Sequence, residues 1–167
     1  LQHFPTDPDI ARLRAEISRH TGRTTEALDA LQTAVMLKPD DLSLRKSLAA
    51  TYEERGAWQD ALDERLSILK YFPTPPEQEL LAVAATAIRA GQLTIAEKAC
   101  NTVLEMQPEN GQANAIYGEL LHARGEDEKA LLHLTRATTL SPDLPAPWLV
   151  ISRIYRDQGN ETFSIDT

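Results

Sequence analysis

The sequence predicts an all-α fold in which antiparallel helix pairs follow one another as a repeat solenoid. Three residue types predict it by sharing one period. Prolines stand at Pro5, Pro39, Pro73, Pro108 and Pro142, glycines at Gly22, Gly56, Gly91, Gly125 and Gly159, and alanines at Ala27, Ala61, Ala96 and Ala130. Successive members are 34 or 35 residues apart, and each series carries the same single-residue insertion. A period of this length marks a stacked supersecondary unit rather than one irregular domain. The proline blocks continuation of the helix before it. The glycine supplies a positive φ in the turn between two helices. The alanine lies early in the second helix, where two backbones come close and a larger side chain overpacks.

Taken in order, the elements fall into that frame. Residues 1–7 read as the end of a preceding unit, because Pro5 is in phase. Units are expected at 8–41, 42–76, 77–110 and 111–144, with a half unit at 145–159 and a tail or truncated helix at 160–167. Each full unit holds a first helix, a glycine turn and a second helix, with apolar residues at three- and four-residue steps, as in Asp127 through Leu140. Thr6-Asp7-Pro8-Asp9 and Thr74-Pro75-Pro76-Glu77 have the form of a capping box with proline entering the first turn. Asp41, Asn110 and Asp143 are the expected N-caps of the other first helices. The run Glu126-Asp127-Glu128 opens a second helix, where negative charge complements the helix dipole. The first residue is Leu1 rather than Met, so the chain reads as a piece of a longer array. Cut ends of such an array would expose faces able to self-associate.

The pattern resembles the tetratricopeptide repeat, with its Trp, Leu-Gly and Tyr in the first helix, Gly in the turn, Ala, a large apolar residue and Ala in the second helix, and a closing Pro. The first unit supplies Ala15, Gly22, Ala27, Leu31, Ala34 and Pro39, and the second Leu48, Ala49, Tyr52, Gly56, Ala61, Ile68 and Pro73. The third supplies Val83, Ala84, Gly91, Ala96, Val103 and Pro108, and the fourth Tyr117, Gly118, Leu121, Gly125, Ala130, Leu134, Ala137 and Pro142. Trp148, Ile151, Ser152, Tyr155 and Gly159 begin a fifth. Arg65 and Cys100 depart from it in a large apolar slot, and Ala87 replaces an aromatic, which implies looser local packing. The resemblance implies a right-handed α-α superhelix that binds a protein or peptide in the concave groove of its first helices. It also implies an alternative: a non-catalytic assembly or substrate-presenting region of a larger protein, as in arrays attached to glycosyl- or sulfotransferases or to bacterial envelope polysaccharide-export machinery.

Composition narrows the function classes. The formal net charge of −8 disfavours a phosphate backbone, so nucleic acid is not an expected partner. No run approaches the ~18 apolar residues of a membrane-spanning helix, so no direct membrane insertion is expected. Cys100 is the single cysteine, which rules out an intrachain disulfide and suits a reducing cytoplasm or a bacterial periplasm. No enzyme constellation, cofactor loop or metal set is visible. Every turn glycine is single, and His3, His20, His122 and His133 lack ligand spacing. Cys100 occupies a core slot and reads as an inert small hydrophobe. Trp148, in the aromatic slot, is expected to pack in the core.

Repeat phase gives the expected groove. Its C-terminal half is apolar, with Leu81, Ala82, Ala85, Ile88, Ala115, Ile116, Leu149 and Val150, joined by Glu119, Arg153 and Arg156. Its N-terminal end is basic, with Arg12, Arg19 and Lys46. Apolar residues on a wet face imply an apolar or amphipathic partner segment whose acidic residues reach the arginines. The carboxylate clamp of chaperone-binding relatives is not reproduced. Its five positions read Arg12, Glu16, Ser47, Gln78 and Ala82 in one window and Lys46, Ala50, Ala82, Gln112 and Ile116 in the next. Glu53 also falls on the groove by phase, so Glu53→Leu is expected to be tolerated, whereas Ala61→Leu and Ala130→Leu are expected to destabilise.

Overall fold

A computed structural model describes residues 10, 12, 13, 16, 17 and 23–159. The first five are helical, and eight further helices follow in full, with no strand among the described residues. The chain divides into two compact units, residues 1–79 and 80–167.

The first unit holds α1 (Thr24–Leu37), α2 (Leu42–Glu54) and α3 (Trp58–Leu69). Helix α1 packs on α2, and α2 on α3. Ala27, Leu31, Ala34 and Val35 of α1 meet Leu44 and Leu48 of α2 in one apolar cluster, flanked by Tyr52. Asp41 caps α2 as expected, its Oδ1 accepting from Ser43 N at 3.0 Å and Leu44 N at 3.2 Å. Gly56 closes the turn to α3 at φ +72°, a region that costs a side-chain-bearing residue strain.

Helix α4 (Glu77–Arg89) begins directly after Pro75-Pro76. The second unit continues with α5 (Leu93–Met106), α6 (Gly111–Ala123), α7 (Asp127–Leu140) and α8 (Pro145–Asp157). Here α5 packs on α6, α6 on α7, and α8 on both α6 and α7. Leu121, Ala130, Leu134, Val150, Ile151 and Ile154 form its apolar cluster, with Tyr117 and Tyr155 against it. Asn110 caps α6 by accepting from Ala113 N at 2.8 Å. Asp143 does not cap α8. The N-cap is Leu144, with no side-chain bond, and Pro145 at the first helical position needs no N–H partner.

The periodic alanines do the packing expected of them. Ala27, Ala61, Ala96 and Ala130 are all fully buried. Gly118 marks a close approach of the two helices in the fourth repeat. A Cβ there would stand 2.6 Å from Leu134 Cγ and 3.2 Å from the Ala130 carbonyl oxygen. Gly22 and the Thr6–Asp9 motif lie outside the described residues.

Candidate functional site

Each groove position takes its environment from the helix that carries it. On α4, Leu81 is buried, and Ala82, Ala85 and Ile88 are half-buried. On α6, Ala115 and Ile116 are buried, and Glu119 is half-buried. On α8, Val150 belongs to the apolar cluster of the second unit, while Leu149 is 65% exposed and Arg153 and Arg156 are exposed. The apolar surface expected from the sequence is therefore smaller than its residue count. Leu81, Ala115, Ile116 and Val150 spend their surface on the fold itself. What stays open is a stripe on α8, where Leu149, Arg153 and Arg156 recur at helical spacing. Among the described residues neither arginine has an ionic partner.

The basic end is altered too. Lys46 is ion-paired with Glu79, so its charge is met within the first unit. Arg12 is exposed, and Arg19 lies outside the described residues.

Glu53 is not an open groove residue. Its carboxylate accepts from Arg65 Nε at 2.7 Å and from Arg65 Nη2 at 3.0 Å, joining α2 to α3. Arg65 stands where Cys100 and Leu134 stand in the next two repeats, and Glu53 where Ile88 and His122 stand. An apolar contact has been exchanged for a bidentate ion pair, so Arg65 does not mark a loosened repeat.

A second exchange involves the slot that holds Trp148 in the half unit. In the second repeat that slot holds Arg45, whose Nε donates to the Pro39 carbonyl at 2.7 Å and whose Nη1 donates to Glu64 at 2.8 Å. In the fourth it holds Asn114, fully buried, whose Nδ2 donates to the Pro108 carbonyl at 3.1 Å and the Asn110 carbonyl at 2.9 Å. Pro39 and Pro108, Arg45 and Asn114, and Glu64 and His133 are each 69 residues apart, so the two clasps occupy equivalent places. In the third repeat the same two slots hold Leu80 and Ala99, both buried. Trp148 itself is 39% exposed rather than packed in the core.

The Asn114 clasp fixes a histidine. With Asn114 Nδ2 committed to two carbonyls, its Oδ1 faces His133 Nδ1 at 3.0 Å. That nitrogen must carry the proton and donate, which leaves Nε2 as the acceptor. Burial, with Arg136 nearby, holds the imidazole pKa below its ordinary value. The His133 ring meets Tyr117 edge-on, with ring centres 4.8 Å apart. His122 differs, its Nδ1 lying 2.7 Å from Asp127 Oδ1. Burial pushes the Cys100 thiol up to about 12, which makes it a poor nucleophile. Among the described residues no group of three or more His, Cys, Asp or Glu side chains is gathered for a metal, and no helix is long and apolar enough to cross a membrane.

Sequence phase placed Leu149, Arg153 and Arg156 among the expected groove positions but missed both clasps and the Glu53–Arg65 pair. The available signal was a polar residue, Arg45 or Asn114, at a phase where apolar or aromatic side chains recur.

Comparison with known proteins agrees with this architecture. Residues 81–145 match the family model of the tetratricopeptide repeat. The chain is 23% identical over 157 residues to the DnaJ homolog subfamily C member 7 homolog of Schizosaccharomyces pombe, covering 91% of this chain and 31% of that protein. It spans about a third of the length of the curated relatives it matches. Among solved structures, MamA residues 41-end from Desulfovibrio magneticus RS-1 superimposes with a TM-score of 0.73 at 16% identity, covering 94% of this chain and 89% of that one. YrrB, described as a TPR protein with an unusual peptide-binding site, gives 0.64 at 15% identity, covering 93% and 80%. These likenesses show an all-α helical-repeat fold, and residues 81–145 carry the match to the tetratricopeptide repeat.

Proposed function

We propose that this chain works by binding rather than by catalysis, as a scaffold that holds a partner segment on the first-helix surface of residues 80–159. The observation that carries the reading is the stripe on α8. It presents an exposed leucine followed by two guanidiniums that have no ionic partner among the described residues. A large exposed aliphatic side chain beside unpaired arginines is poorly explained by folding and well explained by a partner. The matching segment carries an apolar anchor for Leu149 and carboxylates for Arg153 and Arg156, with the half-buried Ala82, Ala85 and Ile88 as low-relief contact surface. Peptide binding named for YrrB supports the class of partner.

A random-peptide display selection against the folded chain tests this. Selected sequences should pair apolar with acidic residues, and their amide-shift footprint should centre on α8. Basic or uncharged consensus sequences, or a footprint confined to the first unit, would overturn the reading.

A further inference from the structure

Away from the first-helix surface, α5, α6 and α7 enclose a cleft of about 360 Å³. That volume lies at the small end of ligand pockets and suits one side chain of a partner. We propose that this cleft is a second binding site, taking an aromatic side chain that carries a hydrogen-bond donor, a phenol or an indole, from a protein partner.

The lining sets that chemistry. Tyr117 and His133 are among the cleft's lining residues. His133 Nε2 is an acceptor because the Asn114 clasp spends the ring's single proton on Nδ1. Neither Nε2 nor the Tyr117 hydroxyl has a hydrogen-bond partner among the described residues. Because no fully buried side-chain nitrogen or oxygen lacks one among the described residues, neither atom is sealed from solvent. Leu132 gives the lining an apolar side chain and is 73% exposed.

The rim settles the charge. Arg124 grips Glu97 through two bonds of 2.9 and 2.7 Å, and Lys129 pairs with Glu126 at 2.6 Å. The four charges cancel, so a charged occupant would have to break an existing pair. A carboxylate would also face the Nε2 lone pair. A purely aliphatic or phenyl occupant would strip water from Nε2 and the tyrosine hydroxyl and return no bond. An aromatic ring with an O–H or N–H satisfies Nε2 and packs on Leu132 and the Tyr117 ring.

The site is particular to one repeat. The slot of Tyr117 holds Leu48, Val83 and Ile151 elsewhere, that of His133 holds Glu64 and Ala99, and that of Leu132 holds Asp63 and Lys98. Packing alone is met by aliphatic residues at the first slot, so the tyrosine is not demanded by the repeat.

The test uses the whole 167-residue chain, labelled with ¹⁵N. N-acetyltyrosinamide and N-acetylphenylalaninamide are titrated separately into the millimolar range, with backbone and imidazole shifts as the readout. The expected result is a saturable change centred on Tyr117, Leu132 and His133. The tyrosine probe should bind about fivefold more tightly, the worth of one hydrogen bond. Leu132→Lys, on an exposed position, should abolish the response without changing the melting curve, and Arg153→Glu should leave it intact. Equal affinity for the two probes, persistence in Leu132→Lys, or no saturable change at the cleft would each overturn the proposal.

Discussion

Glu53→Leu separates the structure from the simpler reading of the repeat phase. Phase places Glu53 on an open groove, where a leucine should be harmless. In the structure its carboxylate holds both arms of Arg65, whose side chain is only 17% exposed against 24% for Glu53. Removing the carboxylate strands a shielded guanidinium with two unanswered donors. Each such loss costs about 1–3 kcal/mol, toward the low end here because water reaches the site. Added apolar contact from the leucine returns roughly 1 kcal/mol. The net expectation is a destabilisation of about 1–2 kcal/mol. Arg65→Leu alone should cost less, since it restores the residue type found at Leu134 and leaves a carboxylate better placed to hydrate. The double variant should sit near wild type, giving a coupling energy of about 1–2 kcal/mol. Urea unfolding followed by far-ultraviolet circular dichroism measures all four proteins. Slope and midpoint are both read, because repeat arrays can depart from two-state behaviour. Additive single effects, or a Glu53→Leu protein as stable as wild type, would refute the argument.

Other expectations follow from the same geometry. Ala61→Leu and Ala130→Leu, at fully buried positions, should each cost about 1–3 kcal/mol by overpacking, visible as lowered unfolding midpoints. Gly118→Ala sets a helix-propensity gain of about 1 kcal/mol against a Cβ 2.6 Å from the buried Leu134 side chain. The clash should win, so the variant melts lower than wild type. The lowered His133 pKa gives a pH dependence of definite sign. Stability from this group is fully present above the ordinary imidazole value of 6.5 and falls as pH drops below it toward the folded-state value, because the unfolded chain binds the proton first. His133→Gln should flatten that slope in melts across mildly acidic pH. The Cys100 thiol, buried and raised to about 12, should react with a thiol reagent only at the rate of unfolding.

Period, turn glycines and packing alanines were legible in the sequence because each answers a local backbone demand that recurs in every repeat. Gly56, Gly91, Gly125 and Gly159 all have φ between +72° and +78°. Asp41 and Asn110 were legible as caps for the same reason, whereas Asp143 looked like a cap until Pro145 moved the helix start past it. The clasps were not legible. Arg45 meets Glu64 and Asn114 meets His133 across 19 residues, and Glu53 meets Arg65 across 12, through side-chain rotamers that no periodicity specifies. Phase put Leu149, Arg153 and Arg156 on one stripe. It could not show that Leu81, Ala115, Ile116 and Val150 would be buried in the fold itself, because first helices bury both flanks as they stack. The cleft beneath Leu132 escaped notice because its polarity depends on which nitrogen of His133 holds the proton.

The most direct test of the binding account is the affinity of one selected acidic, apolar peptide for the wild-type chain and for the Arg153→Glu/Arg156→Glu variant, measured by titration calorimetry at two salt concentrations. Exposed charge pairs contribute up to about 1 kcal/mol each, and reversal adds repulsion, so the account predicts a loss of at least about tenfold that shrinks at high salt. Equal affinity of the two proteins, with both folded, would contradict it.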